Sequence, residues 1–335
     1  MEELPGFTLA ECKGYYSKMK IGIQFSQPKI DGQYSFENYL TLFNLAKKNH
    51  FTSFWAGQHF LSGDYCLLQP MPLLARTSAY SGTMLLGTSV LLLPLLNPLD
   101  VLEQATSIDV MSNGNFMLGV GLGYRQSELL GSGIGREGLV ERFAESIALI
   151  KSVWGGSSDF NGKYFSLKDA KMNPGPISRP RPPILVGAYE DNAVKRAGEI
   201  ADGWIIPPEL SGEPLTRKIS IYENAMEKQG SKGILAMMRA FHVTEDQNEA
   251  DEIRRLIGSH FANKRKMGIS KKVGAEDSET VVGNTTDCVE MIAEIKRRYD
   301  PAHLILLMGF RGTTNEQLMK SIQLAGKSVL HHFEI

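Results

Sequence analysis

Apolar residues along this chain form short runs that alternate with amphipathic segments. The clearest example extends from Leu85 to Gly123, LLGTSVLLLPLLNPLDVLEQATSIDVMSNGNFMLGVGLG. Its first part, Leu85 to Leu93, is continuously apolar and too short to span a bilayer, so it predicts a strand buried on both faces. Pro94 and Pro98 end that run, because proline has no backbone N–H to donate to a sheet.

The same stretch continues with a helix and a second strand. Val101, Ala105 and Ile108 recur at helical spacing. The segment Ser112 to Asn115 stops the helix, and the buried strand Phe116 to Val120 follows it. Strand, helix and strand in this order predict one βαβ unit of a parallel sheet.

This alternation recurs over the whole chain and predicts eight strands followed by helices. The predicted strands are Lys20 to Phe25, Phe51 to Ala56, Leu85 to Leu93, Phe116 to Val120, Pro183 to Gly187, Gly203 to Ile206, Ile234 to Val243 and Leu304 to Met308. Eight repeats fit an α/β fold of the TIM-like (β/α)8 barrel type, with insertions, better than an open doubly wound sheet. The open sheet needs a switch point in strand order, which a sequence does not show.

Two segments interrupt the repeats. Residues 155–182 are rich in Gly, Pro and Asn and contain FNGKYFSL, which predicts a hairpin with an Asn-Gly turn. The basic stretch from Asn263 to Lys272 is either a lid over the barrel or an exposed loop without a role. We expect residues 1–18 to be a leader and residues 19–335 to form a single barrel domain.

Composition restricts the possible partners. The chain has 335 residues, 42% of them hydrophobic and 22% charged, with a net charge of −1. This balance gives no reason to expect nucleic acid or an anionic membrane as a partner. Cys12, Cys66 and Cys288 lie far apart without a CxxC pair, and the N-terminus lacks a signal-peptide pattern. We therefore expect a cytoplasmic protein.

In barrels the functional site lies at the C-terminal ends of the strands. The residues predicted there are Gln24, Phe25, Gln58, His59, Ser89, Val90, Gly121, Leu122, Gly123, Gly187, Ala188, Tyr189 and Arg311. This set is small, apolar and amide-rich with one histidine, so it predicts a cofactor site and no metal site. His59 is either a hydrogen-bonded structural residue or an acid–base group, and His242 also ends a strand and competes for that role.

Anion-binding signals occur in GAYEDNAVKRA. The backbone amides of Ala188, Tyr189 and Glu190 precede a predicted helix, where an anion is favoured, and Asn192 adds a donor. Arg142, at the start of another helix, could close a charge-assisted fork on the same phosphate. The alternative is that Gly187 marks a tight strand-to-helix turn and that Arg142 is a solvated charge on its helix. GVGLGYR lacks the complete GxGxxG pattern, so a Rossmann site is disfavoured.

Three long stretches resemble the bacterial luciferase-like flavin monooxygenases. They are GTSVLLLPLLNPLDVLEQATSIDVMSNGNFMLGVGLGYR, NPGPISRPRPPILVGAYEDNAVKRAGEIADGWI and VVGNTTDCVEMIAEIKRRYDPAHLILLM, which occur in the family's order over residues 20–330. The resemblance implies a TIM-like barrel, often dimeric, that binds reduced FMN or, in related branches, a deazaflavin coenzyme. The FMN branch uses O2 and transfers one oxygen atom to an organic substrate.

The resemblance also implies roles for particular residues. Ser89 and Val90 match a pair joined by a non-proline cis peptide behind the isoalloxazine ring. His59 and Gln58 match the two histidines of the luciferase EHHF stretch, and Arg125 could replace an arginine that luciferase has at Leu122. The implied catalytic residue is His59, and the implied cofactor-binding residues are Gln58, Ser89, Val90, Gly121, Arg125, Arg142, Gly187, Ala188, Tyr189 and Asn192.

We therefore expect a two-component, FMN-dependent monooxygenase. Reduced flavin would come from a separate reductase, because no nicotinamide fingerprint is present, and O2 would oxygenate a small organic substrate. The alternatives are a deazaflavin-dependent hydride transferase and a non-catalytic flavin-binding protein. The resemblance further implies a homodimer formed through Pro70 to Ala79 and Leu99 to Met111.

Overall fold

Eight parallel strands close into a barrel in the computed structural model of the chain, which describes residues 19–26, 36–61, 67–266 and 279–333. The strands are β1 Lys20–Phe25, β2 Ser53–Ala56, β3 Leu85–Thr88, β4 Phe116–Gly121, β5 Ile184–Gly187, β6 Gly203–Ile206, β7 Ile234–Val243 and β8 His303–Met308. Each pairs in parallel with the next, and the ring closes where β8 pairs with β1. The predicted (β/α)8 TIM-like barrel is confirmed.

Helices surround this barrel, and all except α4 lie where amphipathic segments predict them. They are α1 Phe36–Lys48, α2 Pro70–Ser81, α3 Pro98–Met111, α4 Gln126–Ser132, α5 Leu139–Trp154, α6 Asp191–Ile200, α7 Gly212–Glu227, α8 Gln247–Lys266, α9 Thr285–Tyr299 and α10 Asn315–Ser328. The organising unit from Leu85 to Gly123 is a parallel β3–α3–β4 unit, with Leu86 opposite Phe116. None of the helices in the described ranges has the length and apolar character to span a bilayer.

The structure differs from the sequence prediction in four places. The run from Leu85 to Leu93 is not one strand: it breaks after Thr88, resumes as the two-residue strand Leu91–Leu92 and ends in a 3-10 turn. A cis peptide between Ser89 and Val90 lies at the break. Both parts of the run pair in parallel with β4, with Gly87 opposite Met117 and Leu91 opposite Val120. Helix α4 and a short strand, Val281–Gly283 beside β7, were not predicted.

The candidate lid is the fourth difference. Helix α8 continues to Lys266, so the first part of the segment from Asn263 to Lys272 is helical and not a loop. The rest of this segment, like the expected leader at residues 1–18, lies outside the described residues.

The predicted hairpin insertion is confirmed. Phe160–Asn161 pairs antiparallel with Ser166–Leu167, and the turn between them contains Asn161-Gly162. The Glu145 carboxylate on α5 accepts hydrogen bonds from three backbone N–H groups of this turn, at 2.7–2.9 Å. The insertion is thereby fixed against the outside of the barrel, next to α5.

Candidate active site

A cavity of about 440 Å³ opens at the C-terminal ends of the strands, and all eight strands or the residues just after them contribute to its lining. Its size lies within the usual range for cofactor and ligand sites. Nine of the eleven catalytic and cofactor-binding residues that the resemblance implies line it, namely Gln58, His59, Ser89, Val90, Gly121, Arg125, Gly187, Ala188 and Tyr189. Gln24, Leu122 and Gly123 of the predicted strand ends line it as well. The strand ends that the sequence identified therefore lie around one cavity.

The cis peptide between Ser89 and Val90 forms part of the cavity wall, as the resemblance implies. It is held by backbone bonds on both sides, from the Ser89 N–H to the Ala56 carbonyl at 2.8 Å and from the Gln58 N–H to the Val90 carbonyl at 3.1 Å. The Ser89 hydroxyl donates to the Gln24 side-chain carbonyl. This wall is therefore fixed by β1 and β2 together.

Gln58, in the loop after β2, makes hydrogen bonds that support this wall. Its side-chain carbonyl accepts a hydrogen bond from the Leu92 N–H at 2.8 Å, and its amide donates to the Gln69 side chain at 2.7 Å. The side chain is buried, and its carbonyl and its amide each make one of these hydrogen bonds within the protein. Its predicted contact with a cofactor stays a prediction.

Val90 occupies space that two glycines leave open. A Cβ atom on Gly121 would lie 2.5 Å from Val90 Cγ2, and a Cβ atom on Gly187 would lie 2.8 Å from Val90 Cγ1. Both distances are far below the normal contact of about 3.5–4.0 Å between carbon atoms. The glycines at the ends of β4 and β5 therefore let Val90 form the floor of the cavity.

His59 stands at the mouth of this cavity and is bound to a buried carboxylate. Its Nδ1 lies 3.0 Å from Oε1 of Glu128, whose side chain is 2% exposed. The same oxygen accepts a hydrogen bond from the Phe60 N–H at 3.0 Å. Glu128 belongs to α4, so this helix fixes the loop after β2.

Glu128 is ionised in this arrangement. Burial acts to raise the pKa of the Glu128 carboxyl, but the hydrogen bond and charge of His59, the Phe60 N–H and the Arg125 charge outweigh it and lower the pKa. An ionised carboxylate only accepts hydrogen bonds, so His59 Nδ1 must carry a proton. His59 Nε2 is then the ring nitrogen that can exchange a proton, and it lies 3.5 Å from the Tyr124 hydroxyl.

The sequence did not identify three polar residues of this region. Tyr124 and His260 line the cavity, and Glu128 lies behind His59. The sequence carries one signal for α4, since the glycine that follows RQSELLGS, Gly133, is typical of a helix C-cap. In the structure Gly133 adopts the left-handed conformation of such a cap. His260 lies on α8, and the direction of its side chain depends on how this helix packs.

The predicted set has one histidine, whereas a second, His260, also lines the cavity, together with the carboxylates of Glu190 and Glu209. His242 does not compete with His59, because it is buried against Glu249, with 2.8 Å between Nε2 and Oε1. Burial also lowers the pKa of His242. The predicted rim residue Arg311 is exposed and lies outside the lining.

The predicted phosphate residues are only partly brought together. Ala188 and Tyr189 line the cavity at the start of α6, but Arg142 and Asn192 are not among its lining residues. Arg142 is held elsewhere, because its Nε donates to the Pro94 carbonyl at 3.2 Å and its guanidinium lies 4.6 Å from the Phe165 ring centre. A joint grip on one phosphate stays a prediction.

The start of α6 nevertheless has features that suit an anion. The first N–H groups of a helix have no acceptor within the helix, and Glu190 and Ala193 at this helix start line the cavity. The one carboxylate in the first turn, Asp191, is bound by Arg217 at 2.6 Å and by Lys218. These hydrogen bonds lower the pKa of Asp191 to about 2. Two cations thus offset its charge.

These features fit a planar ring compound better than a metal ion. The cavity has an apolar floor at Val90, small residues around it and a polar edge at His59 and Tyr124. Within the described ranges, no group of three or more His, Cys, Asp or Glu side chains is placed to hold a metal ion. A barrel with such a cavity is typical of an enzyme that takes its reactivity from an organic cofactor.

The chain belongs to the luciferase-like monooxygenase family, whose family profile matches residues 19–298. It is 22% identical over 246 residues to the oxygenase component of a flavin-dependent trigonelline monooxygenase from Acinetobacter baylyi, an alignment that covers 69% of this chain and 68% of that protein. Its relatives include monooxygenases and dehydrogenases, so the protein is an oxidoreductase.

Solved structures share the fold. Monooxygenase RslO1 from Streptomyces bottropensis superposes with a TM-score of 0.78 at 19% identity, over 94% of this chain and 99% of that chain. An F420-dependent secondary alcohol dehydrogenase, solved with an F420-acetone adduct, superposes with a TM-score of 0.76 at 17% identity, over 93% of this chain and 98% of its own. The barrel is thus shared by a monooxygenase and an F420-dependent dehydrogenase.

Proposed function

We propose that this protein is the oxygenase component of a two-component, FMN-dependent monooxygenase, which receives reduced FMN from a separate reductase and uses O2 to oxygenate a small organic substrate. The observation that carries the proposal is the cavity itself, whose apolar floor at Val90 faces a proton-exchanging edge at His59. The similarity to the oxygenase component of trigonelline monooxygenase supports a reductase partner and a small-molecule substrate.

The residues present would hold the flavin in three ways. The Ser89–Val90 wall and the glycines Gly121 and Gly187 would support the ring, and the backbone at the start of α6 would bind the phosphate. Arg125 would add positive charge at the rim, where it lines the cavity. The bound flavin supplies the reaction with O2.

The protein's own contribution is burial and proton control. Apolar walls around the ring exclude water, which protects reactive groups from side reactions. His59, held by Glu128 through Nδ1, would donate or accept a proton at Nε2. This pair also favours catalysis over the non-catalytic flavin-binding alternative, because a storage site needs no oriented imidazole.

The second candidate is a deazaflavin-dependent hydride transferase, which does not use O2. The F420-dependent alcohol dehydrogenase that shares this barrel supports it. The same wall and His59 would then face a deazaflavin ring.

Mixing the purified protein with reduced FMN in aerated buffer distinguishes the two functions. An oxygenase binds reduced FMN and alters both the rate of its oxidation and the release of hydrogen peroxide. A protein that leaves both unchanged, yet binds reduced deazaflavin, would refute the monooxygenase.

The same assay tests His59. His59→Ala is expected to retain the fold and most FMN affinity, to lower turnover by roughly 10²-fold or more and to raise hydrogen peroxide release. His242→Ala is the control, because His242 lies outside the cavity lining. The assignment fails if only His242→Ala changes peroxide release.

We also propose that two copies of the chain associate through α2 and α3. Both helices expose large apolar side chains, namely Tyr80 at 37%, Leu99 at 37% and Met111 at 49%. Exposed apolar residues on neighbouring helices are typical of an interaction surface.

A further inference from the structure

Tyr124 lies between the end of β4 and the start of α4, at the edge of the cavity. Gly123 precedes it with a φ of 80°, a left-handed conformation that glycine adopts readily and that turns the chain here. The Tyr124 side chain lines the cavity. Its hydroxyl lies 3.5 Å from His59 Nε2, and the two rings pack edge to face with centroids 5.8 Å apart.

The other side of the imidazole is fixed. Glu128 binds His59 Nδ1 at 3.0 Å, and the same carboxylate oxygen binds the Phe60 N–H. The ring is therefore anchored by its own nitrogen and by the backbone that follows it. Since Nδ1 keeps its proton, any proton that enters or leaves the ring during catalysis passes through Nε2, which faces Tyr124.

We propose that Tyr124 is a catalytic residue of the flavin-dependent reaction proposed above: its hydroxyl contacts the reacting atom in the cavity and connects it to His59. Glu128 is then a positioning residue, which acts through His59. This inference rests on the proposed function. It changes the role of His59 from direct contact with the ligand to proton exchange behind a phenol.

The proposed step moves protons only and needs no reactant besides solvent water. Tyr124 releases its hydroxyl proton to the reacting atom, and the Nε2 proton of the His59 imidazolium replaces it on the phenol oxygen. His59 is left neutral, with Nδ1 still bound to Glu128. It regains a proton from solvent, to which its side chain is 19% exposed.

A hydroxyl suits this bridging position. It donates one hydrogen bond and accepts another, so it can bind the reacting atom and the imidazole together. The distance of 3.5 Å is at the upper limit for a hydrogen bond. Catalytic hydrogen bonds are often long without a ligand and shorten in the complex.

The first test uses the apoprotein, so it does not depend on the cofactor. Nitrogen NMR spectra of 15N-labelled histidine report the tautomer and bonding of each imidazole. Tyr124→Phe is expected to shift the His59 Nε2 resonance and leave Nδ1 in place, whereas Glu128→Gln shifts Nδ1. An unchanged Nε2 resonance in Tyr124→Phe would overturn the proposal.

The second test measures oxidation of protein-bound reduced FMN by O2, together with the hydrogen peroxide released. Tyr124→Phe and His59→Ala are each expected to change the oxidation rate by roughly 10²-fold while FMN affinity stays within about threefold. The double variant should change the oxidation rate no more than either single variant does, because the effects of groups that act as a unit are not additive.

The matched control is Tyr164→Phe. Tyr164 donates a hydrogen bond to the Glu141 carboxylate at 3.0 Å, but it lies on the hairpin and outside the cavity lining. It should behave as wild type. If Tyr124→Phe also stays within threefold of wild type while His59→Ala does not, His59 contacts the ligand directly and the proposal fails. Failure of the monooxygenase assignment is distinguishable, because wild type would then leave FMN oxidation unchanged.

Discussion

The sharpest prediction concerns Gly121 at the end of β4. In Gly121→Ala the new Cβ atom would lie 2.5 Å from Val90 Cγ2, so the two groups must separate by about 1 Å to reach normal contact. Overpacking of this kind costs about 1–3 kcal/mol. Val90 forms the cavity floor, so its displacement moves a surface on which the flavin ring is expected to rest.

If the whole cost falls on the flavin-bound state, FMN affinity falls by roughly 5- to 150-fold, which is that cost expressed as a ratio of dissociation constants. Fluorescence titration with FMN measures the affinity, and thermal unfolding of the apoprotein shows how much of the cost falls on the fold. Gly175→Ala is the control, because a Cβ atom added at Gly175 would have no heavy atom within 4 Å.

The double variant Gly121→Ala/Val90→Ala decides between a local clash and a general loss of fold. Without its Cγ atoms, residue 90 keeps only a Cβ atom, which lies 3.5 Å from the new methyl group at an ordinary contact distance. The double variant should therefore bind FMN better than Gly121→Ala alone. If it binds no better, Val90 does not determine the shape of the floor and the reasoning is refuted.

Three further predictions follow from other parts of the chain. If Arg142 leaves Pro94 and Phe165 to bind the phosphate, Arg142→Ala should weaken FMN about tenfold or more and riboflavin far less, because a charge-assisted bond to phosphate is worth roughly 1.5–3 kcal/mol; equal losses would place the phosphate elsewhere. His303 is fully buried, which lowers its pKa to about 3, so the unfolded chain binds one more proton than the native state between that value and about 6.5. Stability should therefore fall as pH decreases through this window, by up to about 1.4 kcal/mol per pH unit, and urea unfolding of His303→Leu should show a smaller fall. Sedimentation should show a dimer at micromolar concentration that Leu99→Glu and Met111→Glu, both on α3, convert to monomer; a wild-type monomer would refute the proposed interface.

Sequence patterns were sufficient for the barrel because its strands and helices are locally encoded. A strand buried on both faces is a continuous apolar run, such as Phe116–Gly121, and a surface helix repeats its apolar face every three or four residues. The structure shifts the ends of several of these elements and divides the predicted strand Leu85–Leu93. Short elements were missed, such as Gln126–Ser132, because seven residues carry too little periodicity to separate a helix from a loop.

The rim of the site was predictable for the same reason. Parallel strands end at one face of a barrel, so His59, Gly121 and Gly187 had to lie near each other once their strands were assigned. The Ser89–Val90 cis peptide was implied by the resemblance to the luciferase-like family and is present in the structure. No local pattern in the apolar run Leu85–Leu93 indicates it.

Only the tertiary structure decided which polar groups meet. His59 and Glu128 are 69 positions apart in the chain, and their contact depends on how α4 packs beside the loop after β2. The direction of His260 depends likewise on the rotation of α8 about its axis. Arg142 illustrates the opposite outcome, since packing against Phe165 and Pro94 holds it outside the cavity lining. The sequence by itself determined the barrel and the strands that carry the site, because burial and periodicity are local; the pairing of side chains required the packed structure, because it depends on distances that local patterns do not encode.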